Sequence, residues 1–312
     1  MTNRKIAFLF PGQGAQYVGM GKDFLSYPIV RQTFEEADDF LRLPLSKIIF
    51  DGPENILTET RNSQPAIYVL SVALLRLLKQ LFPQLTPTIC AGLSLGEYSA
   101  LYAAEKVSFL NGLNVVRWRS LYMNDACEKN AGTMAVVLGM DAESVENAVK
   151  EINLPNELWA ANFNCPGQVV ISGTRQGIAT GTTYLQTKGA KRVLPLNVHG
   201  AFHSGLMRSA EEALAPYIDS LVLQESPVDL VMNVVGDVVK DPFQIRKNLI
   251  KQICSPVRWE QSIRTIHALN IDLFIEIGCG KTLAGFNKRM NIALPTINLE
   301  RVEDLTPLEL IQ

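Results

Sequence analysis

The chain has 312 residues, 47% apolar and 19% charged, a balance that supplies a large core and argues against a disordered polymer. Its formal net charge of −2 gives no basis for general nucleic-acid binding. The five cysteines (Cys90, Cys127, Cys165, Cys254, Cys279) include no C-x-x-C pair, which argues against a disulfide framework and a cysteine zinc site.

The length predicts about two domains. The first predicted element is a strand over Ile6–Phe10, too short for a secretory leader, so a cytoplasmic chain is expected. The loop Pro11-Gly12-Gln13-Gly14-Ala15-Gln16 follows. Between Ser63 and Phe82, Ile67, Leu70, Leu74, Leu77, Leu78 and Leu81 recur at helical spacing, and Pro83 and Pro87 end that helix. Its apolar run, Ala66 to Leu75, is too short to span a bilayer. Thr88-Ile89-Cys90 predicts a buried strand, and Ala100-Leu101-Tyr102-Ala103 a helix. Leu110 to Met123 reads as an amphipathic helix carrying Arg117 and Arg119. This alternation predicts a parallel sheet covered by helices.

The polar segment Asn124 to Gly132 reads as a boundary. Beyond it Thr133–Met140 predicts a strand and Asp141–Ile152 a helix capped by Asp141. Strands Leu158–Asn162 and Gln168–Gly173 flank a turn at Pro166-Gly167. A helix over Gln176–Lys188 and a strand over Arg192–Val198 complete the set, with Pro195 placing that strand at an edge. The order β-α-β-β-α-β is the ferredoxin-like arrangement. The predicted fold is therefore α/β, with a large parallel-sheet domain over 1–130 and 199–312 and an inserted ferredoxin-like small domain over 131–198. After the insert the chain returns to alternation: Leu206–Ser220, Leu230–Asn233, Asp241–Gln252, Trp259–Leu269 and Asp272–Ile277.

Gly92-Leu93-Ser94-Leu95-Gly96 has the G-x-S-x-G pattern of a nucleophile elbow, set at the strand-to-helix turn such an elbow requires. The same five residues also suit any glycine-rich turn that contains a serine. A serine nucleophile needs a general base, and the chain offers His199, His203 and His267. His267 sits in the helical pattern of Ile263, Ile266 and Leu269 and reads as a surface residue. His199 and His203 have the i, i+4 spacing of a metal pair, but Gly200 and the preceding strand argue against a helix there, so no metal site is expected. His203, at the start of the returning helix, is the better-placed base.

Gly12-Gln13-Gly14 lacks the third glycine of a dinucleotide loop, Tyr17 standing there. Gly280-Lys281-Thr282 lacks the first glycine of a phosphate loop, Ile275 standing there. Both nucleotide patterns fail on their spacing. A loop after the first strand can instead lend a backbone N–H to an oxyanion hole, with Gln13 the candidate, although a plain glycine turn would look the same. Arg117 and Arg119, two apart on a helix, point in different directions. One entering the cleft would grip a carboxylate with a bidentate fork; two solvated arginines are the alternative.

Taken in order, Phe10–Gln16, Gly92-Leu93-Ser94-Leu95-Gly96-Glu97-Tyr98-Ser99-Ala100, Arg119, Asn162–Gln168, Gly200-Ala201-Phe202-His203-Ser204, Pro256-Val257-Arg258-Trp259 and Glu276-Ile277-Gly278 resemble the malonyl-CoA:acyl carrier protein transacylases of type II fatty-acid synthesis. The acyltransferase domains of polyketide synthases are relatives of that family. The resemblance spans nearly the whole chain. It implies an α/β-hydrolase-like large domain with a ferredoxin-like insert, Ser94 as nucleophile and His203 as base. Backbone N–H groups of Gln13 and Leu95 would form the oxyanion hole, and Arg119 would hold the malonyl carboxylate. The Gln252 carbonyl would orient the histidine, and Asn162 and Phe202 would line the acyl pocket.

The implied activity is a ping-pong transfer of malonyl from malonyl-CoA to the phosphopantetheine thiol of acyl carrier protein. No bound cofactor, no metal, no nucleic acid and no membrane are implied, and a monomer is expected. A transacylase serving a polyketide assembly line in trans, a serine (thio)esterase and a non-catalytic carrier-docking module are the competing readings. Two positions depart from the family pattern: Leu93 and Gly200 each replace a frequent histidine. Because carrier proteins are acidic, Lys188, Lys191, Arg192, Lys281, Lys288 and Arg289 are candidates for a basic docking rim.

Overall fold

The computed structural model describes residues 4–310. In chain order its strands are β1 (Ile6–Phe10), β2 (Ile89–Gly92), β3 (Gly132–Leu138), β4 (Leu158–Cys165), β5 (Gln168–Thr174), β6 (Arg192–Pro195), β7 (Asp229–Met232), β8 (Asp237–Val238), β9 (Leu273–Ile277) and β10 (Thr296–Leu299). They form a six-stranded sheet, β10-β9-β1-β2-β7-β8, and a four-stranded sheet, β4-β5-β3-β6. The first is parallel apart from β8, which runs antiparallel to β7. The second is antiparallel throughout.

Both faces of the large sheet are covered, and β1 shows why its residues read as one apolar run. Ile6, Phe8 and Phe10 enter the main core on one face, while Ala7 and Leu9 enter a second cluster on the other. The helix Thr60–Leu81 is buried on nearly every side, as expected of a core helix that is apolar all round. It starts earlier than the leucine spacing predicts and carries Pro65 inside. Pro65 has no N–H to give to the Arg61 carbonyl one turn back; the Ser120 hydroxyl reaches that carbonyl instead, at 3.3 Å.

The segment Asn124 to Gly132, expected as a boundary, is helical as far as Lys129, and β3 begins at Gly132. The helix Phe109–Lys129 runs on into that segment, capped at its start by Ser108. Asn124, Ala126 and Cys127 are buried, so they extend the packed face of Leu113, Val116 and Met123 rather than ending it. The polar residues that suggested a linker are helical.

In the second sheet, β3, the helix Ala142–Ile152, β4, β5, the helix Arg175–Thr187 and β6 follow one another in the ferredoxin-like order. Asp141 caps its helix through the Ser144 N–H. Strand β6 stops at Pro195 rather than Val198 and lies at the sheet edge, where a residue without an N–H costs least. This sheet has its own core cluster of Ala135, Val137, Leu158, Ile171 and Leu185. Val257 ties β4 to the rest of the molecule, donating to Ala161 and accepting from Phe163, both at 2.8 Å. Among the described residues no helix is long and apolar enough to cross a membrane.

Candidate active site

The carboxyl ends of β1, β2 and β7 meet at one edge of the large sheet, the usual place for a site in an open α/β sheet. Gln13 follows β1, Ser94 follows β2 and Asn233 follows β7. The turn after β2 needs its glycines for close approach. A Cβ on Gly92 would lie 1.9 Å from the Gly96 carbonyl carbon, and a Cβ on Gly96 would lie 2.3 Å from the Phe10 oxygen. Ser94 sits at φ 52°, the left-handed conformation that lifts its hydroxyl off the strand end.

Ser94 Oγ lies 2.9 Å from His203 Nε2. His203 is itself at φ 57°, in the turn before the short 3-10 helix Gly205–Met207. Its Nδ1 is 2.8 Å from the Gln252 carbonyl oxygen. A carbonyl only accepts, so Nδ1 carries the hydrogen and Nε2 turns its lone pair to the serine. No acidic side chain takes the place of that carbonyl. Burial, and then the Arg119 cation, lower the His203 pKa to about 4.

Arg119 is buried, whereas Arg117 stays partly exposed over the Trp118 ring. The Arg119 Nη2 donates to Ser94 Oγ at 3.0 Å and to Gln252 Oε1 at 2.8 Å, and Nη1 donates to Gln64 Oε1 at 2.5 Å. Gln64 in turn reaches Gln13 Oε1 at 3.4 Å, linking the arginine to the loop after β1. Among the described residues the N–H groups of Gln13 and Leu95 have no acceptor; Leu95 follows Ser94 in the chain, and Gln13 shares the cavity wall with it.

A cavity of about 920 Å³ opens onto Ser94 and Arg119, and Gln13, Asn162, Phe202 and His203 share its wall. A register shift in β4 between Ala160 and Asn162 turns Asn162 to that wall. All eight residues singled out in the sequence thus converge: six line the cavity, and Leu95 and Gln252 stand behind Ser94.

Two residues the sequence did not single out complete the arrangement. Asn233 Oδ1 accepts the Ser94 N–H at 2.7 Å, and its Nδ2 donates to the Gly92 carbonyl at 2.8 Å. Glu97, fully buried, accepts the Asn233 N–H on Oε1 and Gln252 Nε2 on Oε2, both at 2.5 Å. Burial pushes the Glu97 carboxyl up, while the Asn233 N–H, the Arg119 cation and the Gln252 amide pull against it.

His199 pairs with Glu128 at 2.9 Å on the cavity rim, and His267 is exposed. Among the described residues no group of His, Cys, Asp and Glu side chains is placed to hold a metal ion. The two departures have local causes. Leu93 packs against the apolar cluster of Leu283 and Phe286. A Cβ on Gly200 would lie 2.3 Å from Cys127 Sγ, so a histidine has no room there. The six basic candidates are all exposed; Lys188 pairs with Glu151 and Arg289 with Gln168.

Residues 7–288 match the family described as acyl transferase domain. A malonyl CoA-acyl carrier protein transacylase of Bacillus subtilis (strain 168) is 43% identical over 303 residues, 96% of this chain and 95% of the relative. A chain from the complex of a type II PKS acyl-carrier protein with its malonyl-transacylase superposes with TM-score 0.94 at 34% identity, over 99% of this chain and 100% of that one. An acyl carrier protein S-malonyltransferase from Vibrio cholerae O1 biovar eltor superposes with TM-score 0.92 at 36% identity, over 97% of this chain and 99% of that one.

Proposed function

The chain belongs to the acyl transferase domain family, and from that premise we propose that it carries malonyl from malonyl-CoA to the phosphopantetheine thiol of acyl carrier protein, for fatty-acid synthesis. The observation that carries this reading is a buried guanidinium 3.0 Å from the Ser94 hydroxyl, inside the cavity. A cation there suits an acyl group that ends in a carboxylate, and an esterase of neutral acyl groups has no use for it.

In the first half-reaction Ser94 Oγ attacks the thioester carbonyl as His203 Nε2 takes the hydroxyl proton. The N–H groups of Gln13 and Leu95 hold the tetrahedral oxyanion, each such donor being worth roughly 10²–10³ in rate. Collapse breaks the C–S bond, the His203 proton passes to the departing sulfur, and malonyl-Ser94 remains. In the second half the carrier thiol gives its proton to His203, its sulfur attacks the ester carbonyl, and Ser94 Oγ leaves with that proton. The Gln252 carbonyl keeps His203 in the right tautomer throughout. Arg119 grips the free carboxylate from the first encounter and gains one more donor when Oγ releases it on acylation.

Asn162 and the Phe202 ring bound the acyl space, so methylmalonyl is disfavoured by about 1–3 kcal/mol, the usual worth of one methyl. We assign the catalytic domain to 1–130 and 199–312 and a small domain to 131–198; the separate sheet and core of the insert support that division. Substrates alone, with no bound cofactor, account for the chemistry. Five free cysteines support a cytoplasmic setting. Likeness to a transacylase of a type II PKS favours service to a polyketide carrier as the second reading.

Intact-mass measurement after brief exposure to malonyl-CoA tests the scheme. Wild type gains one malonyl group, and Ser94→Ala gains none. A covalent malonyl adduct on Ser94→Ala overturns the mechanism.

A further inference from the structure

Glu97 is a buried carboxylate that the transfer scheme leaves without a role. Both of its oxygens face N–H donors, Asn233 N and Gln252 Nε2, so a carboxyl proton would have no acceptor in either direction. Beyond Glu97, Gln252 Nε2 also meets the Ser94 carbonyl at 3.0 Å and Asn233 Oδ1 at 3.4 Å. Every neighbour on that side is an acceptor, and only Glu97 carries a formal charge. On the other side Gln252 Oε1 receives Arg119 Nη2 at 2.8 Å. A flipped carboxamide would set its oxygen against the Glu97 carboxylate and its NH₂ against the Arg119 cation.

We propose that Glu97 is a positioning residue: it fixes the orientation of the Gln252 carboxamide and, through it, the seat of Arg119 on the acyl group. The inference rests on Arg119 being the carboxylate grip. It joins two halves of one residue, because the Gln252 main chain holds His203 while its side chain holds Arg119. The base and the acyl cation are set by a single residue, and Glu97 decides which end of its amide faces the cation.

Glu97→Gln separates this role from general support. Its amide oxygen still accepts the Asn233 N–H, so the elbow keeps its tie. Its NH₂ then faces the Gln252 NH₂, and the Gln252 amide must turn over, presenting N–H donors to Arg119. Single-turnover acylation is followed with malonyl-CoA and with acetyl-CoA, which has no carboxylate. The expected result for E97Q is a loss of about 10- to 100-fold with malonyl, the worth of a buried hydrogen bond to a charged group. That loss falls on the apparent Kd for malonyl-CoA more than on the limiting rate, and acetyl changes little.

Gln252→Met keeps the main-chain carbonyl but removes the amide. It is expected to reproduce the malonyl-selective loss, and E97Q/Q252M to lose no more than Q252M alone, as groups acting in one chain of contacts do. Equal losses on both acyl groups, no loss, or additive losses overturn the proposal. Should E97Q not fold, Glu97→Asp, which keeps the charge but draws it back from the Gln252 amide by one methylene, carries the test: a malonyl-selective loss is expected, and equal losses on both acyl groups or no loss overturn the proposal. Arg119→Ala is the reference. If R119A loses malonyl selectively while E97Q does not, only the role of Glu97 is refuted. If R119A loses both equally, the grip itself is refuted and the role of Glu97 with it.

Discussion

Replacing Arg119 by Ala removes a cation that is 1% exposed and donates to Ser94, Gln252 and Gln64. With malonyl bound it also strips the partner from a carboxylate held out of water. Breaking one side of a buried, hydrogen-bonded charge pair costs about 2–5 kcal/mol, or roughly 30- to 5,000-fold in rate. Acetyl-CoA brings no carboxylate, so it registers only the loss of the Ser94 contact and the slack left in Gln64 and Gln252. The informative quantity is therefore the ratio of kcat/KM for malonyl-CoA to that for acetyl-CoA, which cancels damage common to both. We expect that ratio to fall by at least about 30-fold, the lower end of that range. Stopped-flow acylation, with carrier protein withheld, measures it free of the second half-reaction. A ratio unchanged within a factor of about 2, that is under roughly 0.5 kcal/mol, would mean that Arg119 does not touch the acyl carboxylate.

Three further outcomes follow from particular contacts. His203, lowered to about 4 from 6.5, refuses a proton that the unfolded chain accepts below 6.5, so folding stability is present above that pH and is lost as pH falls toward 4. Urea melts at pH 7 and 5 should show the wild type losing about 2 kcal/mol more than His203→Asn, and kcat/KM for acylation, which reports the free enzyme, should stay flat from pH 6.5 down to 5; a limb at 6.5 would sink this account. Gly200→Ala should cost about 1–3 kcal/mol by forcing a methyl onto Cys127 Sγ, and Cys127→Ala should recover most of it; an unchanged melt for the single variant contradicts the packing. Transfer to an acidic carrier should slow with added salt, and more weakly so in Lys288→Glu, whereas salt-insensitive transfer would remove the basic rim as its docking surface.

What the sequence made legible was local. Gly92 and Gly96 bracket Ser94 within five residues; a Cβ on Gly92 would strike the turn that follows, and one on Gly96 would strike the end of β1. Alternating strands and helices likewise disclose a covered parallel sheet, because both faces of β1 have to be apolar. The junction after Met123 was not legible, since Asn124 and Asp125 look like a linker until Ala126 and Cys127 are seen on the packed face. Pairing of Ser94 with His203 crosses 109 residues; the sequence singled out His203 only by elimination among three histidines, and the likeness to a family gave it the role of base. The Gln252 carbonyl is main chain and leaves no side-chain mark in the sequence. Asn233 sits in no motif at all, although its side chain holds the N–H of the nucleophile.

These long-range contacts share an electrostatic logic. Burial first, and the Arg119 cation next, keep the free site from holding a proton on His203; the Gln252 carbonyl behind it pulls the other way, though less than a carboxylate would. The same cation touches Ser94 Oγ, where it favours the hydroxyl's oxyanion character as the proton leaves. On the proposed grip, a malonyl carboxylate on Arg119 would offset that charge and return the part of the basicity that the cation, rather than burial, takes from His203. A neutral acyl group leaves the base depressed. On that grip Arg119 would discriminate twice, once by gripping the carboxylate and once by the basicity it withholds from His203. For the second effect to operate the guanidinium must stay close to both Ser94 and Gln252, which is where its contacts with Gln64 and Gln252 keep it.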